Sequence, residues 1–224
     1  MQKTGKTILI GCIVIFLVLC LIIVGVGAVI GIPAYKDQQQ ANAEQAAYGS
    51  AARAWNLTVP MFDGETQGFS DTWTEVTGLS TDLSVAFSSG NKTAESKTAS
   101  DMDGKITDLD KAIKEIRSTN DDRRKIVGNL QAAMLIHKGV FYREPDIANA
   151  DKTVKYTDKL YNQYSKLLDI VKQEQDWYDK DLAGKADLAV MSNALSDLWG
   201  KYDKLAVDLD TLEAGITQGD MPVN

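Results

Sequence analysis

Hydrophobic residues are arranged along this chain of 224 residues in two different ways. From Ile8 to Ile32 they form one unbroken run of 25 residues with no charge. At 1.5 Å per residue that run reaches across the roughly 30 Å hydrocarbon core of a bilayer, so it predicts a transmembrane helix. Beyond Pro33 the apolar residues recur instead at alternating steps of three and four, the spacing of helices that bury one face against a neighbour.

Five such seams can be followed. Residues 36–56, with Ala47, Ala51, Ala54 and Trp55, predict a helix leaving the anchor, and Pro60, Gly64 and Gly68 mark a turn after it. Phe69, Trp73, Val76, Ser80, Leu83 and Phe87 form the second seam, followed by an exposed polar loop or frayed end over 88–101. Met102, Ile106, Leu109, Ile113 and Ile116 open the third, which stays in phase through Asn120 and Arg123 to Val127, Leu130, Met134, His137 and Phe141. The unbroken register favours one long helix, with a break near Asn120 as the other reading. Glu144-Pro145-Asp146 stops it. The fourth seam runs from Ile147 to Leu182 and ends at Gly184; the fifth runs from Leu188 to Ile216, with Gly219 and Pro222 closing it.

No pair of strand-like runs is joined by a hairpin turn, and the short links force consecutive helices to lie antiparallel. The expected fold class is therefore all-α. A single N-terminal transmembrane helix is followed by an elongated, antiparallel, up-and-down bundle of four to five helices. The expected layout is a short cytoplasmic tail (1–7), the anchor (8–32), an extracytoplasmic bundle (33–219) and a C-terminal tail (220–224). Helices of about 30 residues would make a rod about 45 Å long.

Charge sets the orientation. Lys3 and Lys6 precede the run, while all 31 acidic residues and 22 of the 24 basic ones lie from Lys36 onward. The positive-inside rule then places the amino terminus in the cytoplasm and the bundle outside, in a single-pass cell-membrane protein. An acidic outer part disfavours nucleic acid as a partner. The expected partners are membrane lipid, through residues 8–32, and a protein partner or further copies of the chain. Both cysteines, Cys12 and Cys20, fall in the apolar run, so the bundle holds together without disulfides. Gly27 and Gly31 form a small-xxx-small pair that would let two anchors approach closely.

Catalytic signatures are sparse. The one histidine, His137, lies on a helical seam rather than beside a nucleophile on a sharp turn, so no catalytic residue is assigned and no enzyme activity is expected. No zinc or di-iron pattern is present, and the calcium-like start Asp101-Met102-Asp103-Gly104 has Ala112 where the twelfth-position Glu should stand. No metal or cofactor is expected. Asn56-Leu57-Thr58 and Asn91-Lys92-Thr93 fit the glycosylation acceptor pattern at Asn56 and Asn91. Aromatic residues concentrate on the last two helices, and Trp177, Trp199 and Tyr202 are candidates to line a ligand or partner groove.

The stretch Ile30-Gly31-Ile32-Pro33-Ala34-Tyr35-Lys36-Asp37 resembles the amino-terminal helix of type IV pilins, where an apolar run also leads through Ile-Pro-Ala-Tyr into a polar helix. That resemblance implies a surface filament with the anchor packed in its core. The basic-Gly cleavage site and the glutamate of pilin runs have no counterpart here. The anchored bundle is also similar to bacterial receptor sensor domains, which implies a ligand-sensing module serving a separate transducer. The preferred expectation is a non-catalytic binding, scaffold or complex-subunit protein.

Overall fold

The computed structural model describes residues 32–137, 144–213 and 219–222. They form four helices and no strand: α1 (Ile32–Ser88), α2 (Lys92–His137), α3 (Glu144–Leu182) and α4 (Leu188–Glu213). Apart from Ile32, the apolar run lies outside the described residues, as do Gly27 and Gly31. Among the described residues no helix is long and apolar enough to cross a membrane.

The expected turn around Pro60 does not form. Pro60 lies inside α1, which continues for 57 residues, about 85 Å. The reason is a heptad that sequence inspection broke in two. Tyr48, Trp55, Phe62, Phe69, Val76 and Leu83, every seventh residue, are each no more than 4% exposed. The buried stripe crosses Pro60, Gly64 and Gly68 without a slip. Packing along it outweighs the roughly 3 kcal/mol that a proline costs in a helix interior. Upstream of Pro60, the stripe uses Tyr48 and Ala52 rather than Ala47 and Ala51.

The loop expected over 88–101 shrinks to Ser89, Gly90 and Asn91. Gly90 takes φ 68°, Asn91 N–H reaches back to Ala86 O at 3.0 Å, and the Asn91 side chain accepts from Ala94 N–H at 3.1 Å. One residue thus finishes a Schellman stop and caps the next helix. Gly184 (φ 68°) repeats the stop, with Lys185 N–H to Lys180 O at 2.8 Å, and Asp187 caps α4 through Ala189 and Val190 N–H. Glu144, read as part of a stop signal, is the first residue of α3, with Pro145 in the first turn where its missing N–H costs nothing.

α2 is one helix across Asn120. Its seam from Met102 to Leu130 is buried at every position, including Asn120 at 2% and Arg123 at 0% exposure. α1, α2 and α3 pack antiparallel around that seam, and α3 buries a wider arc because α4 leans on its other side. α4 is the least buried element: Met191, Leu198 and Leu209 face inward, while Leu188 is exposed.

The core is divided in two. The larger half is built around Phe69, Leu83, Met102, Leu109, Leu167 and Met191. The smaller, nearer the start of α1, contains Tyr48, Trp55, Val127, Leu130, Ile147 and, unexpectedly for a tail residue, Met221.

Candidate functional site

Between the two halves lies a buried polar layer. The Arg123 Nε donates to Thr58 Oγ1 at 2.8 Å and its Nη2 to Thr58 O at 3.1 Å. Its guanidinium lies 5.1 Å from the Trp55 ring centre and 4.5 Å from that of Phe62. Burial pulls the Arg123 pKa down to about 10, against the pull of Asp63 and Glu65. Asn120 donates to Val154 O at 3.2 Å and Asp158 Oδ1 at 2.9 Å, tying α2 to α3. Thr119 donates to Glu65 Oε1 at 2.6 Å, tying α2 to α1. A charge at this place in a seam fixes which helix layers lie side by side, as a buried polar residue does in coiled coils.

The aromatic residues form a second feature. Five rings run from the core to the surface through α3, α1 and α4. Tyr164 stacks on Phe69 (3.7 Å between centres), Phe69 on Trp73 (6.3 Å) and Trp73 on Tyr202 (5.6 Å, 23°). Tyr202 then meets Trp199 edge-on at 5.4 Å. Helical spacing explains the order: Phe69 and Trp73, like Trp199 and Tyr202, are one turn apart on a single face. Beside the outer rings is a slot of only ≈ 10 Å³ walled by Trp73, Val76, Ile170, Val171, Leu198, Trp199 and Tyr202, with Ser80 and Glu174 also lining it. The slot is narrow and would have to open to admit anything larger than a water.

Glu174, 3% exposed, accepts a 2.6 Å hydrogen bond from the Ser80 hydroxyl. Burial pushes its carboxyl pKa up, and the Ser80 bond opposes that rise. Tyr178, one turn on, is pushed up to about 12, chiefly by burial and secondarily by Glu174. Chemically the slot offers an apolar and aromatic lining, which could contact an apolar group only once it had opened. Among the described residues no group of three or more His, Cys, Asp or Glu is placed to hold a metal ion.

The third feature lies on the face of α1 that carries Trp55 and Asn56. Residues 219–222 lie across α1 there. Trp55 Nε1 donates to Gly219 O at 3.2 Å. The Asn56 amide pairs with both main-chain groups of one residue: Nδ2 donates to Met221 O at 2.9 Å, and Met221 N–H donates to Asn56 Oδ1 at 2.7 Å. The Met221 side chain, 3% exposed, is sealed into the smaller core. Alongside it a cavity of ≈ 170 Å³ remains, lined by Trp55, Asp146, Asn149, Ala150 and Thr153 together with the segment itself.

Of the candidate groove residues, Trp199 and Tyr202 meet at the slot. Trp177 does not: it is half-buried on α3 against the larger core, with Lys180 4.5 Å above its ring. Asn56 has its amide engaged by Met221, within a continuous helix, and Asn91 caps α2 at an exposed turn. His137 is the last residue of α2, and its side chain lies outside the described residues. Sequence reasoning missed Trp73 and Glu174 as slot partners. It also missed the pairing of Asn56 with Met221, for which no periodicity could have served as a signal. The chain matches no protein-family model, no curated protein and no solved structure.

Proposed function

We propose that the chain is a membrane-anchored, extracytoplasmic bundle that acts by binding, as a scaffold or the subunit of a complex. The 25-residue apolar run supports the anchor, since it is long enough to cross a bilayer and holds no charge. The observation that carries binding is the aromatic ladder, which ends in solvent at Trp199, 38% exposed. Exposed apolar aromatic surface at the mouth of a groove is the usual anchor of a partner side chain. Val85, Leu188 and Val190 add exposed apolar surface near the turns at the opposite end of the bundle from the start of α1. Full-length protein extracted in mild detergent should co-purify with a defined partner or as a defined oligomer. Trp199→Asp should lose that association, while Lys111→Ala on the exposed face of α2 should keep it. A strictly monomeric, partnerless protein would overturn the reading.

The slot supports a second reading, a sensor of small apolar ligands. It predicts a thermal shift with an aromatic ligand such as indole, abolished by Trp199→Ala. No shift across a panel of apolar and aromatic compounds would remove it.

A further inference from the structure

We infer that the groove between α1 and α3 is a peptide-recognition site, and that its occupant in the working protein is the segment Gly219–Pro222 of a second copy. The inference rests on the binding reading above and gives it a partner and a site.

The contacts have the form of peptide capture. A side-chain amide that pairs with both the N–H and the C=O of a single residue reads extended backbone rather than sequence. Here Asn56 does this to Met221. Trp55 adds a hydrogen bond to the carbonyl two residues earlier. Specificity comes from one side chain, Met221, whose flexible thioether fills the pocket beside Tyr48, Trp55 and Ile147.

The receptor is complete without α4. Each of these hydrogen bonds runs from α1 to residue 219 or 221, and the remaining wall is α3. The geometry therefore does not depend on which copy supplies the segment. The segment is the one ligand whose fit to this groove is visible, which makes its copies the matching partner. Exchange of an identical element is a low-cost route to assembly, because every contact already exists within one chain. Copies anchored in one membrane would present groove and segment at the same height, and confinement raises their effective concentration.

Complementation tests this with full-length protein in mild detergent. Asn56→Ala spoils the groove and keeps the segment; Met221→Asp spoils the segment and keeps the groove. With different tags on the two variants, the mixed pair can build one intact site, whereas neither like pair can build any. At least tenfold more co-purification of the mixed pair than of either like pair is expected. A labelled peptide spanning Gln218–Asn224 should bind the Met221→Asp chain at least tenfold tighter than the wild type, whose own segment competes, and should not bind Asn56→Ala/Met221→Asp. Far-ultraviolet circular dichroism confirms that the variants remain helical.

The inference is overturned if the mixed pair associates no better than the like pairs. Peptide binding without mixed association would mean that the groove serves a different protein, and that too sinks the proposal. Wild-type complexes that survive Asn56→Ala would leave the binding function standing while removing this site from it. If both variants unfold, peptide uptake by wild-type protein decides: saturable binding competed by unlabelled peptide, and not by the same peptide with Asp for Met221, is expected, and its absence overturns the proposal.

Discussion

Replacing Arg123 offers the sharpest test of how this bundle is held together. The guanidinium is completely buried, makes two hydrogen bonds to Thr58 and lies between two aromatic rings. Its pKa falls from the ordinary guanidinium range to about 10, so keeping the charge in the core at neutral pH costs about 3 kcal/mol, at 1.36 kcal/mol per unit. Opposing this, hydrogen bonds from a charged donor contribute about 1.5–3 kcal/mol each, and each ring contact about 0.5–2 kcal/mol. The net gain is therefore only a few kcal/mol, and much of the value of the side chain is the space it fills. Arg123→Ala removes bonds and volume together and should cost about 3 kcal/mol. In a chain of this size that lowers the thermal midpoint by about 6–12 °C. Arg123→Met loses the bonds but also the buried charge, keeps most of the volume, and should stay within about 1 kcal/mol of the wild type. Thermal and urea unfolding of the detergent-solubilised chain, followed at 222 nm, measures both. A Met variant as unstable as the Ala variant would refute the claim that burial cost offsets the bonds. The pH dependence supplies an independent check. Above about pH 10 the unfolded chain holds the Arg123 proton more tightly than the folded one, so this group makes stability rise with pH there. The wild type should gain on Arg123→Met over that range. Tyr178, raised to about 12, acts in the opposite direction, but it is present in both proteins and cancels in the difference.

Three further outcomes follow from the same structure. Burial raises the Glu174 pKa, so its contribution to stability is fullest below the ordinary carboxylate range and is lost as pH climbs through the raised value. Glu174→Gln keeps an acceptor for Ser80 without a buried charge; it should melt higher than wild type at pH 7, with the gap closing towards pH 4, and a gap that does not depend on pH would contradict this. Pro60 is exposed inside α1, so Pro60→Ala should restore a helical hydrogen bond to Asn56 O and stabilise by about 1–3 kcal/mol in urea unfolding; an unchanged or lower stability would contradict this. Gly184→Ala forces a side chain into left-handed backbone and should cost about 1 kcal/mol, read as a lower denaturation midpoint with an unchanged slope.

How much of this was legible beforehand differs from element to element. The stretch from Met102 to Leu130 reads directly as a buried face, even through Asn120 and Arg123, because a helix bundle punishes any slip of register along all its layers at once. The stops at Gly90 and Gly184 differ in the same way: Gly184 stands out between two strong seams, whereas Gly90 is hidden in a polar stretch whose helix is held by buried Glu95 and Ala99. Pro60 misled because a local breaker was weighed without the seven-residue stripe that crosses it.

The amino-acid order by itself determined the helical class, the apolar run and the buried face from Met102 to Leu130, since these are periodicities of a few residues and arise from local geometry. Only the tertiary structure decided which distant groups meet: Trp73 with Tyr202, Ser80 with Glu174, Arg123 with Thr58, and Asn56 with Met221. Those pairings depend on how far one helix slides along another. That offset is set by the sum of many side-chain fits across the whole bundle, and no short stretch of sequence contains it.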